Sequence, residues 1–191
     1  SGRDEGGRPA LTGALAHVLD RVGEFGLDAL LSAIVALRDP LRGFITALDG
    51  AGDWAELFAE FGFATTDGEA AIVAGLWPDR RLGAGFATNL LAAARAAGVK
   101  TATGLAERLV AAEAETDPLR RFRLLESAFL KKDGGPRKPA DFLPKAIAAQ
   151  FSGAEERLEH KAAEIAAAAD RLATLNMVRD TAAMLTLADA L

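Results

Sequence analysis

Apolar residues recur at helical spacing along almost the whole chain, and no long stretch alternates as a strand would. Between Leu11 and Phe25, the side chains Leu15, Val18, Leu19 and Val22 share one side of an amphipathic segment. Between Leu27 and Arg38, Leu30, Leu31, Ile34 and Leu37 do the same. Asp39-Pro40 is a capping residue followed by proline at the first helical position, which predicts a third helix. Asp53-Trp54-Ala55-Glu56 and Thr66-Asp67-Gly68-Glu69 each read as a capping box that opens a short helix. The second of these helices is expected to end near Trp77-Pro78. Leu82 to Ala97 and Thr103 to Glu115 predict two more, separated by Gly98. Asp117-Pro118 repeats the cap-plus-proline start. The helix that follows should bury Leu119, Phe122, Leu125 and Phe129 and turn Arg120 and Arg123 outward.

Asp141 to Phe151 predicts a short helix interrupted by Pro144, and Ser152-Gly153-Ala154-Glu155 is a further capping box. From there to Leu191 nothing stops the helix, giving an element of about 60 Å at the α-helical rise. A globule of this chain length is about 40 Å across, so the last helix is expected to bend or to project. Leu158, Ala162, Ile165, Ala169 and Leu172 form one seam. Farther on, Leu175, Val178, Ala182 and Leu185 form one stripe and Met177, Met184, Ala188 and Leu191 another, so neighbours are expected on two sides. The chain ends on an apolar residue without a stop signal, and the expectation is a segment of a longer polypeptide.

Composition sharpens this into a fold class. Half of the 191 residues are apolar, many of them Ala, and the aromatics are ten Phe and two Trp. Ala favours helix and lets helices approach closely. The expectation is all-α: an irregular multi-helix insertion domain with a long C-terminal helix. Residues 1–10 read as a flexible polar linker and 11–191 as a single helical domain. With no Cys there is no disulfide framework, thiol nucleophile or Cys-based zinc site. The longest apolar run, around Leu27 to Leu37, is too short to cross a bilayer. The polar start has no signal-peptide core. A cytoplasmic protein with no membrane partner is expected.

Catalytic chemistry has little to stand on. His17 and His160, the only histidines, are far apart and lack a ligand pattern. Gly98-Val99-Lys100-Thr101 departs from a phosphate loop because Val intervenes and helix precedes it, so a helix stop and a new start at Thr101 or Thr103 is the expectation. Gly83-Ala84-Gly85-Phe86 is half of a dinucleotide fingerprint, without a strand or third glycine. Glu155-Glu156 and Glu113 with Glu115 read as solvated helix-face acids. No Ser or Thr has a His and Asp arrangement to activate it. No catalytic residue and no metal site is therefore assigned.

Charge changes the picture. The net charge is -5, yet residues 119–145 hold eight cations (Arg120, Arg121, Arg123, Lys131, Lys132, Arg137, Lys138, Lys145) against Glu126, Asp133 and Asp141. That is 8 - 3 = +5 there and -10 elsewhere. Four of the cations surround the Gly134-Gly135-Pro136 turn, on an exposed, non-helical element. Such a turn either keeps the domain soluble or contacts phosphates. In the second case Lys131, Lys132, Arg137 and Lys138 lead, with Arg120, Arg123 and Lys145 alongside, and the contacts are sequence-independent and salt-sensitive. Phe129 belongs to the core by its spacing, so base stacking is not expected.

The run Ala128-Phe129-Leu130-Lys131-Lys132-Asp133-Gly134-Gly135-Pro136-Arg137-Lys138 resembles a segment of the AddA family, UvrD-like superfamily 1 helicases of bacterial double-strand-break repair that pair with AddB. The family pattern is roughly Ala-Phe-Leu-Thr-Lys-Asp-Gly-Glu-Pro-Arg-Lys. Lys131 replaces Thr and Gly135 replaces Glu, which makes the loop more basic. The long helix from Glu155 to Leu191 is similar to the one that follows in the family. Gly26 to Leu31 and Leu76-Trp77-Pro78 fit its helical insertion less specifically. The resemblance implies helical subdomain 1B, inserted in the first motor domain of an ATP-dependent helicase/nuclease. It implies duplex DNA, an AddB-type subunit and the remaining helicase domains as partners. ATP and Mg would belong to the parent enzyme, with no cofactor in this segment. The segment alone would neither hydrolyse ATP nor cut DNA. The rival expectation is a protein-interaction scaffold that docks the partner subunit or the motor domains, with the basic loop incidental.

Overall fold

A computed structural model describes residues 7–48 and 54–190. Among them the chain is all-α, with no strand and a single bridge pair, Leu130 with Pro136. The helices are α1 (Gly7–Ala36), α2 (Arg38–Leu48), α3 (Ala55–Glu60), α4 (Glu69–Val73), α5 (Phe86–Ala96), α6 (Lys100–Ala114), α7 (Pro118–Phe129), α8 (Pro139–Phe142), α9 (Lys145–Ala148) and α10 (Ala154–Ala190). A 3-10 turn, Ala149–Phe151, follows α9. The long C-terminal helix is therefore real: α10 runs for 37 residues, about 55 Å at the α-helical rise.

The chain divides into two compact units. One comprises Ser1–Asp67 and Ala173–Leu191, the other Gly68–Leu172. In the first unit, α1 begins at Gly7, inside the stretch expected as linker, and carries a non-helical residue at Gly23 (φ 67°, ψ 174°). The break between the two amphipathic segments thus falls at Gly23, where positive φ is tolerated without a Cβ, and not at Gly26. Val18 and Ile34 are buried as expected, whereas Val22 and Leu37 are exposed. Asp53 lies outside the described residues, and α3 is entered through Trp54 in the left-handed region (φ 59°). The Trp54 indole N–H donates to Thr186 Oγ1 at 2.9 Å. On the α10 portion of this unit, Leu175, Val178, Ala182 and Leu185 are buried. Met177 and Met184 of the second stripe are exposed, and Leu191 lies outside the described residues.

The second unit holds one contiguous core. Leu90 and Ala94 of α5, Leu105, Ala106 and Leu109 of α6, and Phe122, Leu125 and Phe129 of α7 meet Phe142, Ile147, Leu158, Ala162 and Ile165. Small residues allow this: Ala87, Ala94, Ala102, Ala106, Ala112 and Ala128 are fully buried where helices come close. The aromatic centre is Phe129, 5.1 Å from the Phe142 ring and 6.5 Å from the Trp77 ring. Asp117 caps α7 as its sequence requires, its Oδ1 accepting from the Arg120 N–H at 2.8 Å. The Thr66–Glu69 box does not form. Gly68 is the N-cap of α4 without a side-chain bond, and Asp67 Oδ2 instead accepts from the Ala64 N–H at 2.9 Å. α6 starts at Lys100, ahead of both expected threonines, and the Thr103 hydroxyl, inside the helix, donates to the Val99 carbonyl at 2.9 Å.

Candidate nucleic-acid interface

The chain leaves α7 through Leu130, in extended conformation and paired with Pro136. Between them it makes a three-residue hairpin. The Lys131 N–H donates to the Gly135 carbonyl at 2.8 Å, and the Gly134 N–H donates back to the Lys131 carbonyl at 3.0 Å. The Arg137 N–H donates to the Phe129 carbonyl at 2.7 Å. Gly134 has φ 81°, the left-handed position that such a loop requires and that glycine occupies without strain. Asp133 Oδ1 accepts from the Gly135 N–H at 3.1 Å, so the acid of the turn serves its own backbone. Phe129 and Leu130 are buried at the base and tie the hairpin to the core.

The seven expected cations fall into three groups. Lys131, Lys132, Lys138 and Lys145 are exposed and make no ion pair among the described residues. Lys138 sits just before α8, its N–H donating to Asp141 Oδ2 at 3.2 Å, and Lys145 opens α9. Arg120 and Arg123 project from α7, at 76% and 82% exposure, but each has acids nearby. Arg120 Nε is 4.0 Å from Glu115 and 3.8 Å from Asp117, and Arg123 is 3.9 Å from Glu126. Arg137 differs from expectation: it is half-buried, and its Nε is enclosed without a hydrogen-bond partner. Arg121, the eighth cation of the island, faces inward. It donates to the Glu115 carbonyl through Nε at 2.8 Å and through its terminal nitrogen, and to the Trp77 carbonyl at 3.4 Å.

Sequence reasoning misses a buried ionic cluster in the same unit. Lys161 Nζ lies 2.5 Å from Asp79 Oδ2, 2.5 Å from Glu164 Oε2 and 3.1 Å from the Leu76 carbonyl. The Lys161 and Asp79 side chains are 4% and 6% exposed. Glu164 also meets His160 Nε2 at 2.8 Å and Arg81 at 3.2 Å. Burial by itself would raise the Asp79 carboxyl, but the Lys161 ammonium and the Arg81 and Leu82 backbone N–H groups hold it below its ordinary value. Glu164 is lowered in the same way, with Lys161, His160 and Arg81 outweighing burial. The available signal was position: Lys161 lies between Leu158 and Ile165 at helical spacing, on the seam that α10 buries. The other histidine, His17, pairs with Asp180 at 2.6 Å in the first unit. Among the described residues no group of His, Cys, Asp and Glu has the disposition of a metal site, and no helix is long and apolar enough to cross a membrane.

Comparison with known proteins finds no matching family model, no matching curated protein and no matching solved structure.

Proposed function

We propose that this chain is the helical subdomain 1B of an AddA-type helicase/nuclease subunit, and that its hairpin guides duplex DNA by contacts to the phosphate backbone. The observation that carries the reading is the set of exposed, unpaired lysines, Lys131, Lys132 and Lys138, on a tight hairpin. Cations with no internal acid keep their full attraction for phosphate, and phosphate contacts position a duplex without reading its sequence. The family-like run from Ala128 to Lys138 is the same hairpin. ATP hydrolysis with Mg, unwinding and strand cleavage would belong to the parent polypeptide, acting with an AddB-type subunit.

A salt titration of duplex binding tests this. Each neutralised phosphate contributes about 0.9 to the slope of log affinity against log salt. The variant Lys131→Gln, Lys132→Gln, Lys138→Gln should therefore lose about 2 to 3 from that slope, while its far-UV dichroism stays as in wild type. Equal affinity and slope in both proteins would overturn the reading.

One observation favours the second reading, a protein-docking scaffold. The first unit exposes Val22, Val35, Leu37 and Phe44, at 43%, 56%, 55% and 50%, apolar side chains that a docked partner would cover. Capture of an AddB-type subunit that survives loss of the hairpin lysines would support it.

A further inference from the structure

A surface pocket of about 520 Å³ lies in the Gly68–Leu172 unit, between the start of α5, the 3-10 turn and the start of α10. Its apolar wall contains Phe86 and Phe151, packed edge to face with ring centroids 5.7 Å apart. Phe86 is buried, and Phe151 is only half-buried. Arg157 lines the same pocket. Its Nε donates to the Gly153 carbonyl at 2.9 Å, and its terminal nitrogens donate to the Arg81 carbonyl at 2.8 Å and the Ser152 carbonyl at 3.5 Å. The three acceptors fix the guanidinium in place. A guanidinium has five N–H donors, so 5 - 3 leaves about two for a ligand. No carboxylate among the described residues comes within 4.0 Å of it, so it forms no ion pair with them. The exposed side chains of Asn89, Gln150 and Ser152 also line the pocket, and none has a hydrogen-bond partner among the described residues.

These groups select a ligand chemistry. A fixed guanidinium with free N–H groups suits a phosphate or carboxylate. The amides of Asn89 and Gln150 each offer a donor and an acceptor, which a carboxylate alone does not use but the edge of a heterocyclic base does. The Phe151 ring supplies the apolar side that such a base covers. We infer that this pocket takes a single nucleotide, its base against Phe151 with Asn89 and Gln150 on its edge and its phosphate on Arg157. The nucleotide is either a free mononucleotide or the unpaired terminal nucleotide of a strand. The inference does not rest on the hairpin's phosphate contacts.

The test is calorimetric titration of the 191-residue chain at physiological salt with AMP, CMP, adenosine and inorganic phosphate. AMP or CMP should saturate with Kd at or below about 1 mM, and adenosine and phosphate should each bind at least about tenfold more weakly. Arg157→Gln should reduce AMP binding to that of adenosine. Because Arg157 also holds backbone carbonyls, Asn89→Ala and Gln150→Ala, at exposed positions, are the second variants and should each weaken AMP several-fold with an unchanged melting temperature. The lysine-neutralised hairpin variant should bind AMP as wild type does, which separates this site from the duplex-guiding reading. A duplex with one unpaired terminal nucleotide identifies the source. An overhang-specific gain that Asn89→Ala abolishes assigns the strand end, and its absence, with AMP binding intact, assigns the free nucleotide. No saturable binding of AMP or CMP up to about 10 mM, phosphate binding as tightly as AMP, or indifference to both amide substitutions would overturn the inference.

Discussion

Replacing Lys161 by Met removes the ammonium at the centre of the buried ionic cluster while keeping an unbranched apolar stem. The consequence follows from which carboxylate is orphaned. Glu164 keeps His160 at 2.8 Å and Arg81 at 3.2 Å, and its side chain is 30% exposed. Asp79, at 6% exposure, keeps among the described residues the backbone N–H groups of Arg81 at 2.7 Å and Leu82 at 3.4 Å. Removing one member of a buried pair costs about 3 to 5 kcal/mol because the other charge stays desolvated. The two surviving N–H bonds place Lys161→Met at about 3 kcal/mol, the lower end of that range. Urea unfolding reads it, in a Trp54→Phe background that leaves Trp77 as the sole tryptophan and reporter of the Gly68–Leu172 unit. Adding Asp79→Asn removes the orphaned charge and should recover more than half of the loss. A loss below about 1 kcal/mol for Lys161→Met would place the cluster among ordinary surface pairs and refute the assignment of Asp79 as a charge dependent on Lys161.

Three further outcomes follow from single contacts. The Asp79 and Glu164 carboxyls are held below their ordinary values of 3.8 and 4.5, so their contribution to stability is complete above those values and is lost as pH falls through the lower folded ones; acid titration of Trp77 fluorescence should show this loss in wild type and a shallower one in Lys161→Met. Asp117→Ala deletes the 2.8 Å cap bond to Arg120 and should cost about 1 kcal/mol in the same urea assay. Gly134→Ala places a Cβ at φ 81° with nothing within 4 Å to clash, so the penalty is purely conformational, about 1 to 2 kcal/mol by urea unfolding.

The helical class was legible because 3.6-residue periodicity and terminal residues agreed. Asp117-Pro118 named a helix start to the residue, and Leu158, Ala162 and Ile165 named the buried line of α10. Local signals failed where a side chain had two possible partners. Thr66-Asp67-Gly68-Glu69 reads as a capping box, yet Gly68 is the N-cap and the Asp67 carboxylate accepts from Ala64, a local alternative of the kind short polar side chains offer. Gly23 and Gly26 lie three residues apart, and it is Gly23 that takes the positive φ of the kink, a choice that the spacing of apolar residues does not make. The division of the chain into two compact units has no signal in the sequence: its boundary between Leu172 and Ala173 falls inside the uninterrupted helical pattern of residues 154–190. Lys161 was readable in principle, as a lysine on a seam of buried residues, but its partner Asp79 lies 82 positions earlier, and no pattern within a helix announces so distant a pairing.

The cationic island was visible in sequence, but sequence counts every cation alike. Seven positions were expected to act at the interface, and seven phosphate contacts would give a salt slope of about -6. The structure sorts them by what else they touch. Arg120 and Arg123 stand within 4.0 Å of Glu115, Asp117 and Glu126, so binding a phosphate means exchanging one anion for another. Arg137 has its Nε enclosed, which removes one edge of its fork. Lys131, Lys132, Lys138 and Lys145 have no such competitor among the described residues, and four contacts give about -3.6. A measured slope near the larger figure requires the arginines to abandon their acids on binding, and Glu126→Gln should then raise affinity by freeing Arg123. If the slope is near the smaller figure, that substitution changes little and the interface is made of lysine point charges. Point charges lack the bidentate geometry that would fix one register on the duplex, the property that guiding a moving strand requires.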